Sequence, residues 1–354
     1  MTAHPPLRTP MRLRAPRGFT LIELMVGITL GLIVLAVVTT AFVNVSSNRR
    51  DMERTGRQIE NGRFAMQLLA DDIVNTGYFG EFDPRDVGPP ATKPDPCSTT
   101  VADMKNMVMM HVQGYAAGSV KPSCISDVRS GTAVVAVRRT GTCIAGDTNC
   151  DAAATGQIYL QSTLCNDELA NPAISAHYIV AAKPASGPSA FPLHKHDCAT
   201  LASLRSYVMH IYFIANNNNT GDGVPTLKRA ELGANGEFSV VALVEGIENL
   251  QLEYGLDTNG DSMPDAVSAD PGTYGGCAAD PCYITNWLNA VTAKVHLLSR
   301  STEASPGYRD TKTYPLGLQA DGTQLTVGPY NDGFKRHAYT ETIRMNNPAG
   351  RRES

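Results

Sequence analysis

The segment DTNGDSMPD, residues 257–265, places oxygen-bearing side chains at alternate positions. Loops that bind calcium commonly take ligands from positions one, three, five and nine, and a backbone carbonyl from position seven. Asp257, Asn259, Asp261 and Asp265 occupy the four side-chain positions, and Met263 would supply the carbonyl. Because hard oxygen donors suit Ca²⁺ better than a soft transition metal, the segment predicts a calcium-binding loop.

Two departures separate this segment from an EF-hand. Ser262 replaces the glycine of the sixth position, and Ser268 stands where an EF-hand has its bidentate glutamate. No helix pair is predicted around the segment, so we expect it to join two strands, with Asp270 or water completing the ligands. An acidic turn that binds its own backbone is the alternative left open.

The chain lacks the short motifs that usually accompany catalysis. It contains no Gly-x-Ser-x-Gly, no His-Glu-x-x-His and no phosphate-cradling glycine loop, and its eight histidines are scattered. The stretch HKHDC, residues 194–198, looks locally like a metal cluster, but loop histidines beside a disulfide cysteine are commoner than zinc. We therefore predict a protein without enzymatic activity and without a small-molecule substrate.

The composition argues against a nucleic-acid partner. The formal net charge is −4, only 6% of the residues are aromatic, and no basic stripe stands out beyond the N-terminal region. Nucleic-acid binding needs many phosphate contacts from lysine and arginine, commonly with aromatic rings for stacking.

The cysteines indicate an oxidising compartment such as a bacterial periplasm, because all of them follow the apolar N-terminal segment and their number is even. The chain contains no Cys-x-x-Cys pair, so the cysteine spacing does not favour a zinc site. The short spacings Cys143–Cys150 and Cys277–Cys282 predict two local disulfides, and the other pairings stay open. The eight candidates are Cys97, Cys124, Cys143, Cys150, Cys165, Cys198, Cys277 and Cys282.

A long apolar segment, residues 17–43, contains a single carboxylate, Glu23. The charge-free run 24–43 has the length of a membrane-spanning helix, about 20 residues. Arginines before Gly18 favour a cytoplasmic N-terminus and a translocated remainder. A carboxylate within such a helix costs roughly 2.5–3.5 kcal/mol on insertion scales, so Glu23 needs a partner. A shallow position near the lipid headgroups is the alternative.

The sequence RGFTLIELMV around Glu23 resembles the type IV prepilin signal. The resemblance implies that a prepilin peptidase cuts between Gly18 and Phe19, that the apolar helix is kept, and that the new amino group of Phe19 is N-methylated. It also implies that Glu23 pairs with the Phe19 amine of a neighbouring subunit in a filament. Two charges that are costly alone in an apolar core neutralise each other when the subunits are in register.

These residues must be positioned by a long helix and a set of short strands. Met66, Leu69 and Ile73 share one helical face, which predicts a single helix over 19–75, with two separate helices as the alternative. Short apolar runs bounded by turn residues predict mainly antiparallel strands, and 83–130 and 140–210 resemble disulfide-stabilised insertions. The predicted strands are 107–112, 133–138, 157–160, 177–181, 207–215, 238–244, 250–256, 291–299 and 339–345.

The predicted fold class is therefore α+β, pilin-like: a long N-terminal helix, membrane-spanning in its first half, packed on a mainly antiparallel β-sheet domain. Its predicted divisions are a leader peptide (1–18), a transmembrane and filament-core helix (19–45), an amphipathic second half of the helix (46–76) and a periplasmic, disulfide-containing β-rich domain (77–354).

Further segments resemble the minor pilin family PilW. LADDIVNTGYFGEF, residues 69–82, has the acidic helix end and aromatic turn of that family. Residues 207–266 place a strand, a GVPTL hairpin, VEGIENLQLEYG and an acidic loop in the same order. AVTAKVHLLSRS and RHAYTETIRMNNP match the closing strands, whereas residues 83–205 do not align.

Together these features predict a minor pilin that takes part in the initiation of type IV pilus assembly and in twitching motility. We expect a single-pass inner-membrane protein with a periplasmic C-terminal domain that later enters the pilus at the cell surface. The expected partners are other minor pilins, the major pilin and the prepilin peptidase. The alternatives are a large pseudopilin of type II secretion and a membrane-anchored, calcium-dependent binding module of the periplasm.

Overall fold

The computed structural model describes residues 18–171, 177–186 and 189–353. The chain divides into two compact units, residues 1–53 and 54–354. The helix α1 (Leu21–Val74) begins in the first unit and ends in the second. The prediction of one helix over 19–75 is therefore confirmed, and most of the leader, residues 1–17, lies outside the described residues.

The first half of α1 is apolar on all sides. It contains an 18-residue window of mean hydropathy 2.7 with no buried residue, and α1 is the one helix among the described residues that is long and apolar enough to cross a membrane. Its threonines bind the preceding turn: the Thr29 hydroxyl donates to the Met25 carbonyl at 3.0 Å, and that of Thr39 to Leu35 at 2.7 Å. These bonds satisfy hydroxyl groups that would otherwise be costly in lipid.

The second unit contains a seven-stranded sheet in which neighbouring strands are antiparallel. Its strands are β1 (Val112–Tyr115), β2 (Val134–Ile144), β3 (Ile158–Ser162), β4 (Tyr178–Ala182), β5 (Arg205–Ala215), β6 (Thr226–Leu232) and β7 (Phe238–Glu245). The order is β1-β2-β5-β3-β4, and β6 pairs with both β5 and β7. Strand β5 is central because its first residues pair with β3 and its last residues with β6.

A second antiparallel sheet follows the order β13-β10-β8-β9, and β11 and β12 form a separate hairpin. The strands are β8 (Ile247–Leu256), β9 (Ala266–Ser268), β10 (Ala290–Arg300), β11 (Tyr314–Leu318), β12 (Gln324–Val327) and β13 (Arg336–Arg344). The short helices are α2 (Val101–Met107), α3 (Asn166–Leu169), α4 (Asp280–Leu288) and α5 (Asn346–Gly350).

The largest core forms where the end of α1 meets both sheets. Ala65, Met66, Leu69 and Ile73 are buried along one face of the helix, as the sequence pattern predicts. They belong to one cluster with residues of the first sheet, such as Tyr212 and Ile214, and of the second sheet, such as Leu252 and Leu297. The helix face therefore closes a single core shared by the two sheets.

Gly62 lets strand β13 approach the helix closely. A Cβ atom at this position would overlap the ring of Tyr339, whose hydroxyl donates to the Ile59 carbonyl at 3.1 Å. A larger residue would have to displace that ring. Gly62 is thus required by packing rather than by helix propensity, which alone disfavours glycine by about 1 kcal/mol.

Two parts of the strand prediction are corrected by the structure. Residues 107–112 are not a strand, because Thr100 caps α2, and Met104 and Met107 of that helix are buried in a second core; the strand begins only at Val112. Strand β6 was not predicted, since the paired charges Lys228 and Arg229 interrupt its apolar pattern. The short strands β9, β11 and β12 were also missed.

Four disulfides close loops of the second unit. Cys143 is bonded to Cys150 and Cys277 to Cys282, the two local pairs that the spacing predicts. The other two, Cys97–Cys124 and Cys165–Cys198, span 27 and 33 residues. Closing longer loops restricts the unfolded chain more, so these two bridges are expected to contribute most to stability.

Candidate functional site

The residues before α1 form a hydrogen-bonded helix start. The Thr20 carbonyl accepts from the backbone N–H of Leu24 at 3.1 Å, and the Thr20 hydroxyl accepts from the N–H of Glu23 at 3.3 Å. In return, Oε2 of Glu23 accepts from the Thr20 N–H at 3.0 Å and from its hydroxyl at 2.9 Å. This is a capping box, in which two residues three positions apart satisfy each other's free backbone donors.

Glu23 is therefore held by its own chain. Its place in the first turn also puts the carboxylate at the positive end of the helix dipole. Gly18 and Phe19 precede the helix with non-helical backbone, and the side chain of Phe19 is 86% exposed. The predicted cleavage position thus lies in an open stretch, directly before the residue that caps the helix.

Asp257, the first residue of the acidic loop, is fully buried and held on all sides. Its Oδ1 accepts from the N–H of Gly260 at 2.6 Å, and its Oδ2 accepts from the N–H of Ser262 at 2.9 Å. The Arg352 guanidinium lies 3.2 Å from Oδ2. Burial alone raises the pKa of Asp257, but these backbone bonds and the charge of Arg352 lower it overall.

The other acidic side chains converge on one amide. The Nδ2 group of Asn259 donates to Asp261 at 3.2 Å and to Asp265 at 3.0 Å. Asp265 also accepts from the N–H and the hydroxyl of Thr258, at 2.8 and 2.9 Å, and Asp261 accepts from the N–H of Met263 at 2.8 Å. The structure therefore brings the four predicted side chains into one hydrogen-bonded loop.

Backbone geometry compensates for one of the two departures from a calcium loop. Ser262 adopts φ of 71°, the left-handed conformation that glycine provides at the sixth position of an EF-hand. Ser268 lies in β9, opposite Tyr254 of β8, so the loop joins two strands as expected. The carboxylate of Asp270 accepts from the N–H of Gly272 at 3.0 Å and caps the turn that follows.

The HKHDC stretch contributes one cysteine to a disulfide. Cys198 is bonded to Cys165, so the cluster of these cysteines with Asp167 lacks free thiolates. His194 Nδ1 lies 2.7 Å from Oε1 of Glu168, so this ring nitrogen contacts a carboxylate of α3.

A buried carboxylate that sequence reasoning missed anchors the end of α1. Asp72 is only 5% exposed and accepts from Arg139 Nε at 2.6 Å and from the Tyr212 hydroxyl at 2.7 Å, while His210 Nδ1 lies 2.5 Å from its Oδ2. Burial raises the pKa of Asp72, but the hydrogen bond and charge of His210 and the charge of Arg139 lower it well below its usual value. The pair DD at 71–72 was the available signal, but only tertiary packing distinguishes Asp72 from Asp71.

Two of the three glutamates within VEGIENLQLEYG, Glu248 and Glu253, are also buried and paired. Glu248 lies 3.0 Å from Arg129 and 2.5 Å from Arg336. Glu253 lies 3.0 Å from Nε2 of His296, whose Nδ1 is 3.0 Å from the hydroxyl of Thr340. Both glutamates thus connect β8 to neighbouring parts of the second unit.

Arg336 is the centre of a larger buried charge network. Besides Glu248, it contacts Asp310 at 2.9 Å and Asp332 at 2.7 Å, and its guanidinium lies 3.7 Å from the ring centroid of Tyr330. Buried arginines need such compensation, because an unpaired charge in the protein interior is strongly unfavourable. These ion pairs join the loop 301–335 and β13 to β8.

Comparison with protein families gives two matches. Residues 211–347 match the family model of the Type IV Pilus-assembly protein W, PilW, and residues 13–39 match the Prokaryotic N-terminal methylation motif. No curated protein and no solved structure matches the chain. The predicted resemblance to PilW and to the prepilin signal is confirmed by these matches, which include Gly18, Phe19 and Glu23 at one end and β8, the acidic loop and β10 at the other.

Replacing Asp72 by alanine is expected to destabilise the second unit by about 3–5 kcal/mol, because the half-buried Arg139 and the buried hydroxyl of Tyr212 would both lose their partner. Chemical denaturation of the full chain in detergent measures this loss. The matched control is Asp71→Ala, which removes an exposed carboxylate one residue earlier and should change stability by less than about 0.5 kcal/mol. Equal effects of the two substitutions would contradict the anchoring role.

The pH dependence of stability provides a second readout for Asp72. Since its folded-state pKa is lowered, its stabilisation is fully present above the unfolded value of 3.8 and is lost as the pH falls below it. We expect Asp72→Asn to remove this part of the acid sensitivity, whereas Asp71→Asn retains it.

Calcium binding by the acidic loop stays a prediction that titration can test. Asp261→Ala removes the ligand of position five and should weaken calcium binding by the full chain at least about tenfold. Asp147→Ala, which removes an exposed aspartate from a different loop, is the control and should bind like the unmodified chain. If Asp261→Ala and the unmodified chain bind with equal affinity, the loop is an acidic turn and not a calcium site.

Proposed function

We propose that this chain is a minor pilin of the PilW type that takes part in the assembly of a type IV pilus. The observation that carries the proposal is the prepilin-type sequence at the start of an exposed apolar helix, combined with a PilW match over residues 211–347, which contain strands β6 to β13. The helix inserts in the inner membrane, and after processing it is built into the filament.

Processing prepares the N-terminus for assembly. A prepilin peptidase cuts between Gly18 and Phe19, and the new amino group of Phe19 is N-methylated. The cut leaves α1 intact, because the helix begins only at Leu21. It also creates a positive charge four residues before Glu23, at the end of the chain that enters the filament core.

The Thr20–Glu23 capping box explains how the Glu23 carboxylate can be accommodated in the membrane before assembly. The Thr20 N–H and hydroxyl hold Glu23 while the subunit is alone, which lowers the cost of placing the charge in lipid. In the filament, the Phe19 amine of a neighbouring subunit offers a full positive charge in place of the hydroxyl. Subunit entry thus exchanges an intrachain hydrogen bond for an ion pair that is satisfied only in the correct register.

The C-terminal domain works without covalent chemistry in this proposal. It lies in the periplasm, where four disulfides are stable, and it presents surfaces to other minor pilins and to the major pilin. The pseudopilin alternative shares the helix-plus-sheet plan, but the family match is to a pilus-assembly protein, which favours the pilus.

Mass spectrometry of the mature chain tests the processing step. We expect a protein that begins at a methylated Phe19, because the peptidase removes residues up to Gly18. Gly18→Leu should block cleavage, while Gly27→Ala, a change within the apolar helix at a position without close neighbours, should leave it unaffected. A membrane-inserted protein that retains its leader would contradict the proposal.

Gene deletion and complementation test the assembly role. If deletion abolishes pili and twitching motility, the chain is a minor pilin. If deletion abolishes protein secretion instead, it is a pseudopilin. If deletion affects neither process, the binding module is supported. Glu23→Gln should fail to restore piliation although the protein is present and inserted, because a neutral amide cannot pair with the Phe19 amine. Glu60→Gln, at an exposed position of the same helix, is the control; full piliation with Glu23→Gln would disprove the pairing role.

A further inference from the structure

Strand β7 has one free edge that is long, apolar and exposed. It pairs with β6 from Phe238 to Glu245 with one irregularity at Leu243, and in the described parts of the chain no strand pairs with its other edge. At the end of the strand, the carbonyl of Glu245 accepts a hydrogen bond from Nδ2 of Asn61 in α1 at 3.1 Å. Val240 and Val241 point to opposite faces of the sheet, and they are 47% and 40% exposed. Both faces at the middle of this strand are therefore accessible together with its backbone edge.

Strand β13, one of the two outer strands of the second sheet, differs from β7. The free edge of β13 carries the charged residues Glu341 and Arg344 together with His337, which is how natural sheets usually discourage pairing with another chain. Strand β7 has no charge and no proline between Phe238 and Val244. An unprotected edge of this length is a template for an additional strand.

Charges mark the two ends of the uncharged run. Glu237 and Glu245 are both exposed, and their separation of eight residues corresponds to roughly 26 Å of extended chain. Asn218 donates to Glu245 at 2.6 Å, but among the described residues neither glutamate forms an ion pair with a cation of this chain. A partner can therefore neutralise both ends.

We propose that β7 receives a β-strand from another protein chain, and that this strand is apolar at alternate positions and carries a lysine or arginine at each end. Backbone hydrogen bonds along the edge supply the affinity, and the two glutamates select the partner by charge. The inference deepens the proposed function, since a neighbouring subunit of the assembly is the expected donor, but strand binding occurs without a filament.

A synthetic peptide provides the probe. It has about nine residues, alternates valine with threonine over the length of β7, and ends in lysine on both sides. Fluorescence anisotropy with the full chain in detergent micelles should give saturable binding. A matched peptide that ends in glutamate should bind about tenfold more weakly, because it loses two exposed ion pairs and its reversed charges repel Glu237 and Glu245.

Hydrogen exchange locates the binding. Amides of β7 should become protected when the lysine peptide is bound, while those of β13 should not change. The double variant Val240→Lys, Val241→Lys should lose binding at least about tenfold, since it places two cations opposite the peptide on side chains that are already exposed. Val120→Lys, at an exposed loop position, is the control and should bind normally.

Three results would overturn the proposal: absence of saturable binding, equal binding of the two peptides, or unchanged binding by the double variant. Concentration-dependent self-association that the double variant abolishes would assign the edge to a second copy of this chain. The pilus proposal survives any of these outcomes, because processing and piliation do not enter this experiment. Conversely, normal piliation after gene deletion would leave strand binding by β7 intact.

Discussion

The structure of the second unit depends on the buried face of α1. Ala65, Met66, Leu69 and Ile73 fill one core to which both sheets contribute, so neither sheet buries its inner face without the helix. This packing determines where the other contacts can form. Gly62 admits Tyr339 of β13, and Asp72 reaches Arg139 of β2 and His210 of β5. Because burial of apolar surface is the main favourable term in folding, the helix end and the two sheets must form cooperatively.

A second constraint is that charges in apolar surroundings need partners. Glu23 is held by Thr20 at the start of α1, Asp72 by three side chains at its end, and Glu248 by Arg129 and Arg336 between strands. The carboxylates of Asp72 and Glu248 are buried in the second unit, and their partners are side chains of the same chain. Glu23 has only a neutral hydroxyl and a backbone N–H from its own chain. It is therefore the carboxylate that a cation from another subunit can still stabilise, which fits an assembly role.

The second unit likewise contains both charged groups that are paired within the chain and a strand edge that is not paired. The segments that match PilW, from the end of β5 to β13, include Glu248 and Glu253, which join β8 to its neighbours, so most of those charges serve the fold. Strand β7 lies within the same matched region but keeps an exposed apolar edge between two glutamates. An edge strand that lacks protective charges is stable in solution only if something covers it or if it is rarely free. Incorporation into a filament, as proposed above, would meet that condition.

Much of this protein could be predicted from local patterns. The single helix, most strands, two disulfides and the prepilin signal follow from periodicity, turn residues, short cysteine spacing and a motif of fixed spacing, because each depends on residues that are close in the chain. Strand β6 and the helix at 101–107 were missed because their burial comes from contacts with distant segments, which override local preference. For the same reason, local sequence does not distinguish Asp71 from Asp72. Packing of α1 on the sheet buries one carboxylate among Arg139, His210 and Tyr212 and leaves the other in solvent. Local sequence therefore specifies the elements and the processing motif, whereas long-range packing assigns each charge either to the core or to a surface that a partner can bind.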